Sequence, residues 1–295
     1  LVLASTAYYF DHRSDPEEVV AGEVIDATEG EILPEAGSPE NKELSWDDVK
    51  QVDLIGLEVG YGLIPLVDRN QNGLLLNRIK GVRKKLSQDF GFLIQPVHIR
   101  DNLDLNPNAY RITLLGVPVG ESEIYPDREM AINPGQVFGV IDGTPTTDPA
   151  FGLDALWINP SQRDEAQTMG YTVVDASTVI ATHLSQLLHN HANELLGRED
   201  VQQLLDNLGK TAPKLIEGLV PDTLPLGIIQ KVLQHLLEER IPIRDIRTIV
   251  ETLAAQALIS QDAATLTSQV RVALGRSIVH YINGMEPEMP VITLD

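Results

Sequence analysis

The hydrophobic pattern of this chain changes period once, at Asp175, and that switch limits what it can fold into. Before it, apart from one helix, apolar residues alternate over short runs bounded by glycine, proline, asparagine and aspartate, as half-buried strands do. After it, from Ala176 nearly to the end, they recur at three- and four-residue spacing, as amphipathic helices do. Strands followed by helices imply an α+β protein of several subdomains.

The stretch 144–184 straddles the switch. Pro149 fixes its own φ and pushes Asp148 toward an extended conformation, while Gly152 relieves the backbone after Phe151, so residues 147–152 are expected to form an exposed turn. The turn feeds an alternating strand through Leu153, Ala155 and Trp157. A second apolar run, Tyr171 to Val174, leads into a helix that Asp175 can cap. Phe151 has two readings of equal weight. It folds back as a core plug, as apolar residues usually do, or it forms a small docking dimple with Asp148 at the rim and the helix from Thr178 to Thr182 as a wall.

Upstream, residues 52–67 read as a strand with a glycine-rich turn at Gly56, Gly60 and Gly62, with no dinucleotide pattern and no helix directly after it. A helix is expected from Leu74 to Phe90, its Arg83-Lys84-Lys85 cluster on a solvated face. Strands are expected at Leu93 to Ile99 and Tyr110 to Leu115, and the β-α-β-β order suggests an α+β layer. Residues 126–143 look like the start of a small insertion. Helices are expected at Arg198 to Leu208, Leu226 to Glu239, Ile243 to Ala257 and Asp262 to Asn283. Arg244, Asp245 and Arg247 read as a salt-bridged surface, and the final residues as the start of a strand.

The net charge is −21 with a pI near 4.6, which argues against nucleic acid and against adsorption on anionic lipid. No cysteine is present, so disulfides, thiolate metal sites and cysteine nucleophiles are excluded. Between 11 and 50, thirteen acidic side chains face only Arg13, Lys42 and Lys50, with prolines interrupting, which marks a linker. Trp46 in that linker either packs on its own domain or latches onto a neighbour. The apolar start, LVLASTAYYF, is too short to span a bilayer. It is read as the tail of a transmembrane helix with Tyr8-Tyr9-Phe10 at the interface, or as part of an ordinary helix.

His183, His189 and His191 share one helix but lack the spacing and carboxylate that a zinc site needs. Asp175, Ser177 and His183 can be imagined as a hydrolytic triad, yet no nucleophile elbow surrounds Ser177. No phosphate loop, kinase set or paired-acid motif appears, so no enzyme, cofactor or metal is expected.

Six stretches carry a resemblance: LEVGYGLIPLVD (57–68), RIKGVRKKLSQDFGFLIQPVHIRDNLDLNPNAYRI (78–112), AINPG (131–135), DPAFGLDALWI (148–158), GYTVVDASTVIATHL (170–184) and PIRDIRTIVETLA (242–254). In order and content, over about 43–283, they closely resemble the cytoplasmic half of the FlhA (FHIPEP) family of flagellar type III secretion export-gate proteins. The resemblance implies an inner-membrane protein whose cytoplasmic part forms a nonameric ring and docks flagellar export chaperones with their substrates. It also implies other export-apparatus partners, the ATPase complex and a second export-gate protein. Contact with the membrane would run only through a preceding region.

The implied organisation is a possible end of a transmembrane helix at 1–10 and an acidic flexible linker at 11–51. A ferredoxin/thioredoxin-like α+β subdomain at 52–126 and 176–195 follows, with a β-rich insertion at 127–175. A helical subdomain at 196–275 and the start of a fourth, α+β, at 276–295 complete it. By the same resemblance the chaperone-binding dimple comprises Asp148, Phe151 and Thr182, with Pro134, Val174 and Val179 lining or adjoining it. Glu43, Trp46 and Asp48 would touch a neighbouring subunit, and Gly60 would be a hinge. The sequence therefore leads with a binding and switching module; the alternatives are a serine-type hydrolase and a purely structural ring scaffold.

Overall fold

The computed structural model describes residues 52–68, 73–284, 286 and 288. The expected transmembrane tail, the linker with Glu43, Trp46 and Asp48, and the strand expected at the end of the chain lie outside the described residues.

The first sheet begins with β1 (Ile55–Val59), which runs on into a 3-10 turn at Tyr61–Leu63 and a single helical turn, α1 (Ile64–Val67). The expectation of a longer strand with no helix after it is thereby corrected. Pro65 sits in the first turn of α1, where its fixed φ suits a helix and its missing N–H costs nothing. Gly60 is extended (φ −66, ψ 160), so conformational freedom is not what it supplies. A Cβ there would lie 2.1 Å from the Asn106 carbonyl oxygen, and its N–H donates to the Ala109 carbonyl at 2.8 Å, so close backbone approach demands glycine.

Helix α2 (Leu74–Phe90) buries Leu75, Ile79, Leu86 and Phe90, four positions on one face. It leads to β2 (Val97–Asp101), followed by the hairpin of β3 (Ala109–Leu114) and β4 (Val117–Glu123). Leu115 and Gly116 both have positive φ, 52° and 79°, the tight-turn geometry that matches strand twist. The sheet order is β2-β1-β3-β4, with β1 and β2 parallel and β3 antiparallel to both its neighbours. A β-α-β unit followed by a direct hairpin is the thioredoxin-like arrangement; a ferredoxin-like sheet would place a helix before its last strand. The strand expected from Leu93 starts only at Val97, because the Arg83 side chain donates to the carbonyls of Ile94 (2.8 Å) and Gln95 (2.9 Å) and takes them out of the ladder. Arg83 is thus a clamp and not part of a free solvated face.

The second sheet comprises β5 (Glu129–Ile132), β6 (Thr144–Thr147), β7 (Asp154–Ile158) and, after α3 (Arg163–Thr168), β8 (Thr172–Asp175). Its order is β6-β7-β5-β8, antiparallel throughout. Alternation gives it two apolar faces. Met130, Ala155 and Trp157 enter the main core, while Ala131, Ile158 and Val173 form a small core of their own with Ile141, Ala166 and Tyr171.

Helix α4 (Ala176–Asn190) starts at Asp175, whose side chain accepts from the Thr178 N–H at 3.0 Å as expected of a cap. The helical part continues through α5 (Ala192–Leu195), α6 (Arg198–Gly209), α7 (Pro213–Glu217), α8 (Leu226–Glu238), α9 (Ile246–Gln256), α10 (Ala263–Ala273) and α11 (Gly275–Asn283). The single helix expected over 262–283 breaks at Leu274, just before the poor helix former Gly275. Asp245 caps α9 through Thr248, and Arg247 pairs with Glu251 at 2.8 Å one turn on, so that cluster is a salt-bridged surface. One contiguous core joins the first sheet, α4, one face of the second sheet and helices α5 to α10.

Candidate functional site

The turn between β6 and β7 is fixed by its own first residue. The Asp148 N–H donates to the Leu153 carbonyl (2.8 Å), its carbonyl accepts from Gly152 (2.9 Å), and its carboxylate Oδ2 accepts from the Phe151 N–H (2.9 Å). Gly152 takes φ 71, which a side chain there would resist. Asp148 is 2% exposed while Phe151 is 60% exposed. The core-plug reading of Phe151 is therefore corrected: the aromatic ring stands in solvent. Asp148 is also not a rim residue but the buried post on which the turn is hung.

Asp148 lies close enough to Tyr110 of β3 and His183 of α4 to raise both pKa values electrostatically. The Tyr110 hydroxyl and His183 Nδ1 are 2.8 Å apart in a buried contact. Burial lowers the His183 pKa and outweighs Asp148, and burial first, then Asp148, raises that of Tyr110. These shifts favour a protonated phenol beside a neutral imidazole at neutral pH, and the direction of the bond between them follows the imidazole tautomer. Thr182, one residue before His183, is half-buried.

Pro134 is exposed at the same end of the second sheet, beside β7, since Asn133 N–H donates to the Asp154 carbonyl at 2.9 Å. Val174 is half-buried on β8 and pairs with Met130 further along the sheet; Val179, 1% exposed, is core. The fold thus groups Asp148, Phe151 and Pro134 at one sheet end with His183 of α4 close to Asp148, while Val174 lies further along the sheet and Val179 in the core. Sequence reading missed Tyr110 and His183 as neighbours of Asp148; a histidine beside Thr182 on an apolar helix face was the available signal. It also missed Phe138 and Val140, 87% and 90% exposed on the loop that carries Pro134.

The hydrolytic triad does not assemble. The Ser177 hydroxyl donates to Asp175 and accepts from Arg78 Nε at 3.2 Å, whereas His183 is engaged by Tyr110. Arg78 also pairs with Asp175 at 2.7 Å. The Asp175 carboxylate sits below the ordinary range: burial raises its pKa most, but hydrogen bonds from Ser177 and Thr178, with Arg78, together prevail. His189 packs on Phe90 with ring centroids 5.2 Å apart and His191 bonds Glu194 at 2.8 Å. Among the described residues no three His, Asp or Glu side chains are grouped to hold a metal, and no helix is long and apolar enough to cross a membrane.

The turn presents an outward aromatic braced by a buried acid between two sheets, on the fold of a protein-secretion family: the chain belongs to the FHIPEP family, whose model matches residues 1–295. It is 53% identical over 253 residues to the flagellar biosynthesis protein FlhA of Escherichia coli, covering 86% of this chain and 37% of that protein. To FlhA of Bacillus subtilis it is 39% identical over 292 residues, covering 99% of the chain and 42% of the relative. The chain thus spans less than half the length of these relatives. Among solved structures, the Chlamydia pneumoniae CdsV protein matches with a TM-score of 0.69 at 26% identity, over 80% of this chain and 69% of that one. The nonameric EPEC SctV-C matches with a TM-score of 0.60 at 21% identity, over 78% and 68%, and shares the fold. The fold is that of export-gate cytoplasmic domains.

Proposed function

We propose that this chain is the cytoplasmic docking platform of a flagellar type III export gate at the cell inner membrane, receiving chaperone–substrate complexes and passing substrates toward the export channel. The observation that carries the reading is Phe151, 60% exposed on a turn whose backbone is fixed by the buried Asp148. A preorganised aromatic anchor loses little entropy on binding and suits the apolar face of an amphipathic segment. Asp148, Phe151 and Thr182 form the dimple, Pro134 borders it, and Val174 and Val179 support it from beneath. Glu43, Trp46 and Asp48 regulate access by contact with a neighbouring subunit of a nonamer, and Gly60 serves as hinge. The ATPase complex and the second export-gate protein are further partners in this reading. The CdsV relative has also been solved in a complex with CdsO, which supports a platform role.

Calorimetric titration with a flagellar chaperone bound to its substrate tests this. Phe151→Ala is expected to weaken binding by about 2 kcal/mol or more, as loss of a central aromatic anchor does. Unchanged affinity would move the site elsewhere.

A further inference from the structure

The face of the second sheet turned away from the main core is covered by α3 and by residues 137–141, which run beside it. Val137 and Ile141 pack into the small core with Ala166 and Tyr171, while Phe138 and Val140 between them stand 87% and 90% exposed. This in-out alternation is that of an extended strand, in which a slip of one residue would turn the two outward side chains inward. Two hydrogen bonds prevent the slip. The Phe138 N–H donates to the Met169 carbonyl at 2.8 Å, and the Tyr171 hydroxyl donates to the Gly139 carbonyl at 3.2 Å. Gly139 also packs on the Met169 side chain, where a Cβ would come within 3.1 Å of the sulfur. Phe138 and Val140 are thus pinned in water as a pair, about 7 Å apart along the segment.

The segment runs antiparallel to α3. Met169, just past the end of α3, meets Gly139, and Gln162, just before its start, donates from its side chain to the Asp142 carbonyl at 3.1 Å. Glu165 falls three residues after Gln162 and four before Met169, so it lies on the flank of α3 that borders the segment. Asp142 and Glu165 are both exposed, and Arg163, the cation of α3, is engaged by Glu129. Neither Asp142 nor Glu165 forms an ion pair among the described residues. An apolar rail and an acidic rail therefore lie side by side over about 13 Å, between two and three turns of a helix.

We propose that Phe138, Val140, Asp142 and Glu165 form a docking strip for a basic amphipathic helix of a partner protein. Charge selects this occupant: a chain of net charge −21 repels acidic segments and anionic membranes, and two carboxylates without counter-ions attract lysine or arginine. The apolar stripe of the helix covers Phe138 and Val140, and cations one turn apart beside that stripe meet the carboxylates. The strip is separate from the Phe151 turn, whose Asp148 approaches His183 of α4 on the side of the main core.

The test uses the full chain and a blocked, fluorescein-labelled helical peptide of about sixteen residues, with lysines four apart and a leucine stripe. A scrambled peptide of the same composition, a charge-swapped one with glutamate for lysine, and sedimentation of the chain alone serve as comparisons. Expected results are saturable anisotropy with the basic peptide and amide shifts confined to α3 and residues 136–143. The scrambled peptide should bind about tenfold more weakly or worse, since it keeps the charge and loses the stripe. Affinity should fall about tenfold or more in F138S/V140S and about fivefold in D142N/E165Q, and D142K/E165K should prefer the charge-swapped peptide. All four positions are exposed, and unchanged circular dichroism confirms that the variants fold. No binding to wild type, equal binding by F138S/V140S or by the scrambled peptide, shifts at 148–153 instead, or self-association of the chain abolished by F138S/V140S would each overturn the proposal.

Discussion

His183 is the residue on which pH should act. Its pKa is lowered from 6.5 in the fold by burial, with Asp148 only partly opposing. The unfolded chain therefore takes up its proton first as pH falls, and stability present above about 6.5 is lost progressively below it. His189 is shifted the same way, by burial and then by Arg240, and adds to the slope. Chemical denaturation between pH 7.5 and 5 should show falling stability, and His183→Gln should flatten part of that slope. A slope unchanged in the variant would refute the assignment. At Gly60 the expectation is steric: Gly60→Ala drives a methyl against the Asn106 and Pro107 carbonyls and should cost about 1–3 kcal/mol, read by thermal melting. Residue chemistry was partly legible in the sequence. The Asp148-Pro149 and Gly152 turn and the Asp175 cap follow from local backbone rules. The burial of Asp148 and its neighbours Tyr110 and His183 did not, since Tyr110 and His183 stand 73 positions apart and only tertiary packing joins them.

Among the elements, α4 joins the sheets to the helices that follow it. Its N-terminus is closed by Asp175, which also receives Arg78 from α2, so one carboxylate caps a helix and ties it to another. Asp175→Ala should cost about 1–2 kcal/mol, the upper part of the capping range, measured by urea denaturation at pH 7. Because the carboxyl is held below its ordinary value of 3.8, this contribution is fully present above that pH and is lost as pH falls below it. Long periodic helices such as α2 and α8 were readable from spacing alone. The errors fell where side chains override pattern: at residues 93–96, withdrawn from pairing by Arg83, and at 61–67, where Pro65 converts an apolar run into a helical turn.

Across the whole molecule, the two faces of the second sheet should respond differently to truncation. Trp157 enters the core shared with the first sheet and the helices, whereas Ile158 enters the small core beneath α3. Trp157→Ala should lower global stability by about 3–5 kcal/mol. Ile158→Ala should cost about 2–5 kcal/mol, with hydrogen exchange faster mainly within the second sheet. Equal exchange changes throughout in both variants would mean that the small core is not a separate unit. The period switch at Asp175 made the strand-then-helix order legible, but not that the sheets would share one core, because alternation gives faces without saying what covers them.

The same tryptophan gives the molecule an optical handle. Trp157 is 1% exposed and meets Tyr125 edge-on with ring centroids 5.6 Å apart, and the chain has only one other tryptophan, Trp46. With Trp46 replaced by phenylalanine, all indole emission comes from Trp157: blue-shifted, shielded from iodide, and fed by excitation energy transferred from Tyr125. Any event that loosens the second sheet from its helix would then redden and quench that emission, with no label attached.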